Sequence, residues 1–154
     1  MASGTHTIAK GREAYYASLP AASDSLIAVL LRGVESDDLL RRHDTLSALL
    51  GANTEANFTG YTRKTLASVT LTVDDDADTP IADANDVVWD PAGGATDNTI
   101  VKLLVCYKPA SGSADSVIVP VWYWDSQLPV TTDGSSLTIQ PAVEGLWRTA
   151  DQTS

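Results

Sequence analysis

The feature that most constrains this chain is a series of short apolar segments, separated by turn-rich segments, in its C-terminal two thirds. The segments IVKLLVCY (100–107) and SVIVPVWYW (116–124) are largely apolar on both faces, and the intervening KPASGSAD is rich in turn-forming residues. Strands covered on both sides and joined by turns are therefore predicted. Pro120 removes one ladder hydrogen bond, which predicts an edge or a bulge at that point.

A further strand is predicted in LASVTLTV (66–73), where apolar and hydroxyl side chains alternate. This period of two is typical of a strand with one buried and one wet face. The side chains expected to face the core are Ala67, Val69, Leu71 and Val73. Shorter strands are predicted at LTI (137–139) and in the ending GLWR (145–148), so this part of the chain is expected to be mainly antiparallel β.

The N-terminal third has a different pattern. Residues 1–8 are predicted to form a loose polar arm, followed by a short helix in AKGREAYYASL that Pro20 ends. The continuous apolar run LIAVLL (26–31) predicts a central strand, because only a strand covered on both faces can bury every side chain.

A main helix is predicted over about residues 36–50. Ser36 suits the N-cap, Asp37 and Asp38 are favourable at the positive end of the helix dipole, and Gly51 is a plausible stop. The residues expected to face the sheet lie at spacings of four, three and four: Leu39, His43, Leu46 and Leu50.

These patterns together predict an α+β fold that is mainly β. We expect an antiparallel β-sandwich or a barrel-like sheet, with one main helix and a short N-terminal helix. Since 154 residues suit one hydrophobic core, residues 23–154 are expected to form a single mainly-β domain, preceded by the arm and short helix of residues 1–22.

The charge of the chain disfavours two classes of partner. The formal net charge is −10, and the only adjacent basic pairs are at 41–42 and 63–64. Nucleic-acid phosphates and anionic membrane surfaces would repel such a protein, so neither is expected as a partner. The first sixteen residues lack the apolar run of a secretion signal, so synthesis in the cytosol is expected.

The sequence contains no convincing catalytic set. His43 and Asp44 are neighbours, and their side chains on a helix would point about 100° apart. Cys106 lies in an apolar strand and is expected to be a core thiol. We therefore predict neither an enzyme nor a cofactor site.

One metal site remains open at this point. Asp74, Asp76 and Asp78 alternate as oxygen ligands do in a calcium loop, but no Gly follows at the sixth position, and Asn85 stands where a Glu is required. The segment is either a weak cation site or a solvated loop that protects a sheet edge.

An aromatic cluster is the best candidate for a binding surface. Alternation places Trp122 and Trp124 on one face of a strand and Tyr123 on the other, and Trp147 follows near the C-terminus. Exposed Trp and Tyr are common at protein interfaces and carbohydrate sites. These four residues are predicted to form a subunit interface; a pure core role and sugar binding are the alternatives.

The order of the strand motifs over about residues 23–149 resembles small structural proteins of tailed bacteriophages. In that family a Gly-Tyr segment precedes strands of the types T-x-T-x-D-D, A-D-D-V-x-W/F, V-V-x-Y-K and P-L-I-x-Y-x-D, and a closing G-x-F/W-R. The matching residues are Gly60, Tyr61, Thr70, Thr72, Asp74, Asp75, Asp86, Val87, Trp89, Val105, Tyr107, Lys108, Val117, Ile118, Tyr123, Asp125, Gly134, Gly145, Trp147 and Arg148.

The resemblance implies a virion component, of minor capsid or head decoration type, on the capsid surface. It implies the major capsid protein or other virion proteins as partners, homo-oligomers, and synthesis in the host cytoplasm. A protein that binds the assembled shell in preference to free subunits would stabilise the shell by mass action. A tail or fibre component, including a carbohydrate-binding host-recognition module, is the alternative.

Overall fold

The computed structural model describes residues 3–76, 79–125, 127–140 and 147–148. The described helices are α1 (Glu13–Ala17), α2 (Asp37–Leu40) and α3 (Leu46–Ala52). The described strands are β1 (Ser3–Thr5), β2 (Ser25–Gly33), β3 (Thr54–Glu55), β4 (Lys64–Thr65), β5 (Thr70–Asp74), β6 (Thr79–Asp83), β7 (Val87–Trp89), β8 (Thr99–Ile100), β9 (Lys102–Lys108), β10 (Val119–Trp124), β11 (Val130–Thr131), β12 (Leu137–Ile139) and β13 (Trp147–Arg148).

A six-stranded antiparallel sheet forms the centre of the molecule. Its order is β1-β10-β9-β2-β3, and β4 also pairs with β2. The prediction of a central strand at 26–31 is confirmed, because β2 has partners on both edges and all six residues are buried. The predicted irregularity at Pro120 is also confirmed: the register between β10 and β9 shifts between Pro120 and Trp122.

Each face of this sheet carries its own apolar cluster. On one face, side chains such as Val29 and Leu104 pack with Leu40, Leu46 and Leu49 from the two helices α2 and α3. On the other face, the sheet packs against α1 and residues of three small sheets, which are β5-β6-β13, β7-β12 and β8-β11. The α+β, mainly β fold is thus confirmed, whereas a sandwich or barrel is not, since the second β layer is divided into three separate sheets.

The prediction of one helix over about 36–50 is wrong, because the chain turns between α2 and α3. Thr45 caps α3, with its hydroxyl accepting a hydrogen bond from the Ala48 backbone N–H at 3.1 Å. The Leu46 N–H is then free of the helix ladder and donates to the Ile118 carbonyl at 2.9 Å. Gly51 lies inside α3 instead of ending it, and Leu39 is 48% exposed rather than facing the sheet.

The N-terminal segment is only partly as predicted. The short helix before Pro20 is confirmed as α1. Residues 3–9, however, are not a loose arm: β1 pairs with β10, and His6 is fully buried. The apolar strand β10 indicates that its edge needs a covering strand. The polar residues of β1 do not themselves indicate that they form that cover.

Candidate functional site

The aromatic strand β10 lies in the interior of the chain. Trp122, Tyr123 and Trp124 are 2%, 4% and 8% exposed. Trp122 and Trp124 belong to one apolar cluster and Tyr123 to the other, so the predicted alternation of faces is confirmed. Within the single chain these three side chains have a core role, because the chain itself covers both faces of the strand; a further role in an interface stays a prediction.

Trp147 belongs to β13, whose backbone pairs with Ala82 and Ile81 of β6. The side chain of Trp147 lies outside the described residues, so its place in an interface stays a prediction.

Apolar side chains are exposed instead on the strand β5. Leu71 is 39% exposed and Val73 is 64% exposed, which contradicts the predicted burial of this face. In the described part of the chain β5 pairs only with β6, so its outer edge carries backbone groups without a strand partner. The helix α1 lies against β5 and β6. Alternation predicted a buried face here because the sequence does not show which faces of the sheet are covered.

The turn after β5 is acidic. Asp75 and Asp76 are exposed turn residues, and Asp83 at the end of β6 is exposed as well. Asp78, the third of the possible calcium ligands, lies outside the described residues. Among the residues described, no group of three metal-ligating side chains is brought together, and the cation site stays a prediction.

The remaining charged side chains pair with one another across the fold. Arg63 donates to Glu55 at 2.8 Å and to Asp115 at 2.6 Å, which joins β3, β4 and the loop before β10. Hydrogen bonds from Arg63 hold the pKa of Asp115 below its usual range, although burial opposes this. Such a clamp ties the loop before β10 to two short strands that both pair with β2.

A second polar group lies beside the helices. His43 bonds to Glu35, and Asn53 donates to the same carboxylate at 2.9 Å. Burial raises the pKa of Glu35, but the hydrogen bonds from Asn53 and His43 outweigh it, and the net pKa is lowered. His43 thus has a carboxylate partner that the sequence pattern did not indicate, and Asp44 is not part of this group.

The lysine Lys102 is an unusual component of the main sheet. Its side chain is 5% exposed, its ammonium lies 2.8 Å from Asp37, and it stands 5.5 Å from the centre of the Tyr123 ring. A buried cation requires such partners, because an unpaired charge in the interior is costly. The sequence did not indicate that Lys102 would be buried and paired, because a single lysine in an apolar run resembles a simple interruption of that run.

Cys106 is fully buried between the sheet and the helices. Burial raises the pKa of its thiol far above the usual range. The prediction of a core thiol is confirmed.

One cavity opens near the β11–β12 connection. Its volume is about 190 Å³, and hydroxyl and carboxylate side chains line it, including Thr132, Asp133 and Ser135. Asp133 accepts hydrogen bonds from the Ser135 backbone and hydroxyl, which lowers the pKa of Asp133. This arrangement stabilises a turn, and the lowered pKa makes the Asp133 carboxylate a weak base towards the Ser135 hydroxyl.

None of the described helices is long and apolar enough to cross a membrane. Comparison with known proteins gave no match to a family model, to a curated protein or to a solved structure.

Proposed function

We propose that this chain is a structural protein of a tailed-bacteriophage virion, of minor capsid or head decoration type. The proposal rests on the order of its strand motifs, which resembles that family. Several of these motifs lie on strands: T-x-T-x-D on β5, D-V-x-W at β7, and V-x-Y-K on β9. The major capsid protein is the proposed partner.

The observation that supports a binding role best is the exposed edge of β5. An edge strand with apolar side chains is a template for pairing with another chain, and proteins normally protect such strands. Leu71 and Val73 are exposed on this strand, while exposed aspartates follow it. The matching surface on a partner would be extended, apolar at alternate positions and basic at its rim.

Many weak contacts suffice for such a role. On a repeated shell lattice the local concentration of binding sites is high, so modest contacts at each copy add up. The acidic character of the chain is compatible with an exterior position, since it would be repelled by packaged DNA.

The burial of Trp122 and Trp124 removes the feature on which the sugar-binding alternative rested. Carbohydrate sites present aromatic faces to solvent, whereas these rings lie in the core.

The test is reconstitution on shells that lack the protein. The purified chain is mixed with such shells and with isolated tails, and both are imaged by electron cryomicroscopy. We expect regularly spaced additional density on the outer head surface. Density on tails alone would instead support a tail component, and absence of density on both would overturn the proposal.

A further inference from the structure

The N-terminal strand covers the outer edge of the aromatic strand. Ser3, Gly4 and Thr5 pair with Trp124, Tyr123 and Trp122, and within the described residues β1 is the only strand on this edge of β10. Three residues therefore separate a long apolar strand from the outside of the sheet.

The residue that follows, His6, is buried and its ring is poorly satisfied. Neither ring nitrogen makes a well-formed hydrogen bond, and the nearby Leu40 carbonyl favours the charged ring only in part. The ring instead packs edge-on against Tyr123, with centroids 5.3 Å apart. A buried polar atom without a good partner is destabilising, so the ring weakens the attachment of a strand that the His6 backbone helps to hold.

We propose that the outer edge of β10 is a docking site for the N-terminal strand of a second copy of this chain, and that protonation of His6 opens it. The occupant is defined by the structure, since residues 3–6 of the same sequence fill this edge in the single chain. When two copies exchange an identical element, each contact within one chain becomes the same contact between two chains. Such an exchange is a low-cost route to oligomers. This contact between copies goes beyond the proposed function, and it does not require binding to a shell.

The surroundings of His6 disfavour its charged form. Burial and the neighbouring His43 lower the pKa of His6 from its usual 6.5 to about 3, and the Leu40 carbonyl opposes this only in part. The other titratable groups nearby are already partnered. Arg41 pairs with Asp38, and the Lys102 ammonium beside the Tyr123 ring pairs with Asp37 and Asp125.

Acid favours release of the strand. In the released strand His6 has its ordinary pKa of 6.5, and in the docked strand its pKa is about 3. The released form therefore binds more protons between these values, and release becomes about tenfold more favourable for each pH unit below 6.5. Between pH 7.5 and pH 4.5 the equilibrium for release shifts by about a hundredfold.

The N-terminal segment is also free enough and long enough to extend to a second copy. Lys10, Gly11 and Arg12 are exposed, and no atom lies within 4 Å of the position that a Cβ on Gly11 would take. Gly11 has φ +78°, a conformation open to glycine. Residues 3–10 extended would span about 26 Å, enough to cross to an adjacent copy.

The docking site is also selective at one position. A Cβ on Gly4 would lie 2.8 Å from the Tyr123 hydroxyl, and Tyr123 is buried and cannot move aside easily. A strand with a larger residue at this position would not fit the edge of β10.

The experiment uses the full chain and a fluorescent peptide of residues 1–10 as the probe. The chain is held at pH 4.5 with excess peptide, returned to pH 7.5, and passed over a sizing column. We expect the peptide to be incorporated after the acid step and not without it. A Gly4→Val peptide is the matched control and should be excluded. Incorporation of neither peptide, or of both equally, would overturn the docking site.

The role of His6 is tested with the His6→Leu chain, which should incorporate at least tenfold less peptide after the same acid step. Equal incorporation would overturn His6 as the trigger. If His6→Leu does not fold, hydrogen exchange of residues 119–124 in the unmodified chain tests the same point. The opening equilibrium, which is the exchange rate divided by that of the same amides in an unstructured peptide at each pH, should rise about tenfold per pH unit below 6.5. An opening equilibrium that does not change with pH would contradict the inference. Near-ultraviolet circular dichroism must remain native at pH 4.5, since global unfolding would contradict a local release.

Discussion

The hydroxyl of Tyr61 accepts a hydrogen bond from the backbone N–H of Leu30 at 3.2 Å. Leu30 lies in β2 between the residues that pair with β4 and those that pair with β3. The same hydroxyl donates to Glu55 at 2.8 Å. A side chain thus completes the ladder of the central strand where two short partner strands leave a gap.

Replacing Tyr61 by Phe should destabilise the protein by about 1–3 kcal/mol, because the buried Leu30 N–H loses its acceptor. Glu55 keeps its bonds to Arg63, so the loss is confined to one donor. Urea unfolding measures the change. Tyr15→Phe, at a residue 57% exposed, is the control and should change the free energy of unfolding by less than about 0.5 kcal/mol. Equal effects would contradict the ladder role.

The clamp made by Arg63 predicts a pH-dependent loss of stability. Arg63→Met leaves the carboxylates of Glu55 and Asp115 without their shared cation, and should cost about 1–2 kcal/mol at pH 7. Because the folded pKa of Asp115 lies below its usual 3.8, this contribution is complete above that pH and is lost as the pH falls through the folded pKa. The difference between the two proteins should therefore narrow at pH 3, as measured by urea unfolding.

Arg41→Met is the control for this prediction. Its partner Asp38 is 67% exposed, and exposed pairs contribute little. A similar loss in both variants, or a difference for Arg63→Met that does not change with pH, would mean that packing and not charge explains the effect.

Two glycines should respond in opposite directions to alanine. A Cβ on Gly60 would lie 2.6 Å from the Pro91 carbonyl oxygen, and its φ is +87°, so Gly60→Ala should cost about 2 kcal/mol or more. Gly51 lies in α3 with open space at its Cβ position, and Gly51→Ala should stabilise by about 0.5–1 kcal/mol. Thermal unfolding of both variants checks the pair, and a loss for Gly51→Ala would contradict the helix assignment.

The parts of the fold that could be predicted are those whose signal is local. The apolar runs at 26–31 and 116–124 require cover on both faces wherever they lie, and both contribute buried strands to the main sheet. In the second run the strand begins only at Val119, and Val117 is exposed. The bulge at Pro120 follows from the missing N–H of that residue alone.

The errors concern features that depend on the surroundings. The period of LASVTLTV is that of a half-buried strand, but Leu71 and Val73 are exposed, because the described part of the chain leaves this face of β5 largely uncovered. The helix pattern of 36–50 is broken at Thr45, where a cap and a hydrogen bond to Ile118 replace the helix ladder. In both cases the partner that decides the outcome is distant in the sequence.

The core role of the aromatic residues in β10 was missed for the same reason. Large aromatic residues on both faces of β10 indicate that both faces need cover, but not whether the cover comes from the same chain. Here His6 and the neighbouring N-terminal residues supply part of it, and a polar N-terminal segment gives no sequence signal for such a role.

The most direct test of the proposed function is co-sedimentation with shells that lack the protein, with the binding edge altered. The double variant Leu71→Lys, Val73→Lys changes two exposed side chains of β5, and Val117→Lys changes a third residue that is 52% exposed elsewhere. We predict that the unmodified chain and Val117→Lys sediment with shells alike, and that the double variant binds at least tenfold more weakly. Failure of the unmodified chain to bind, or equal binding by all three, would contradict a structural protein that binds its virion partner through β5.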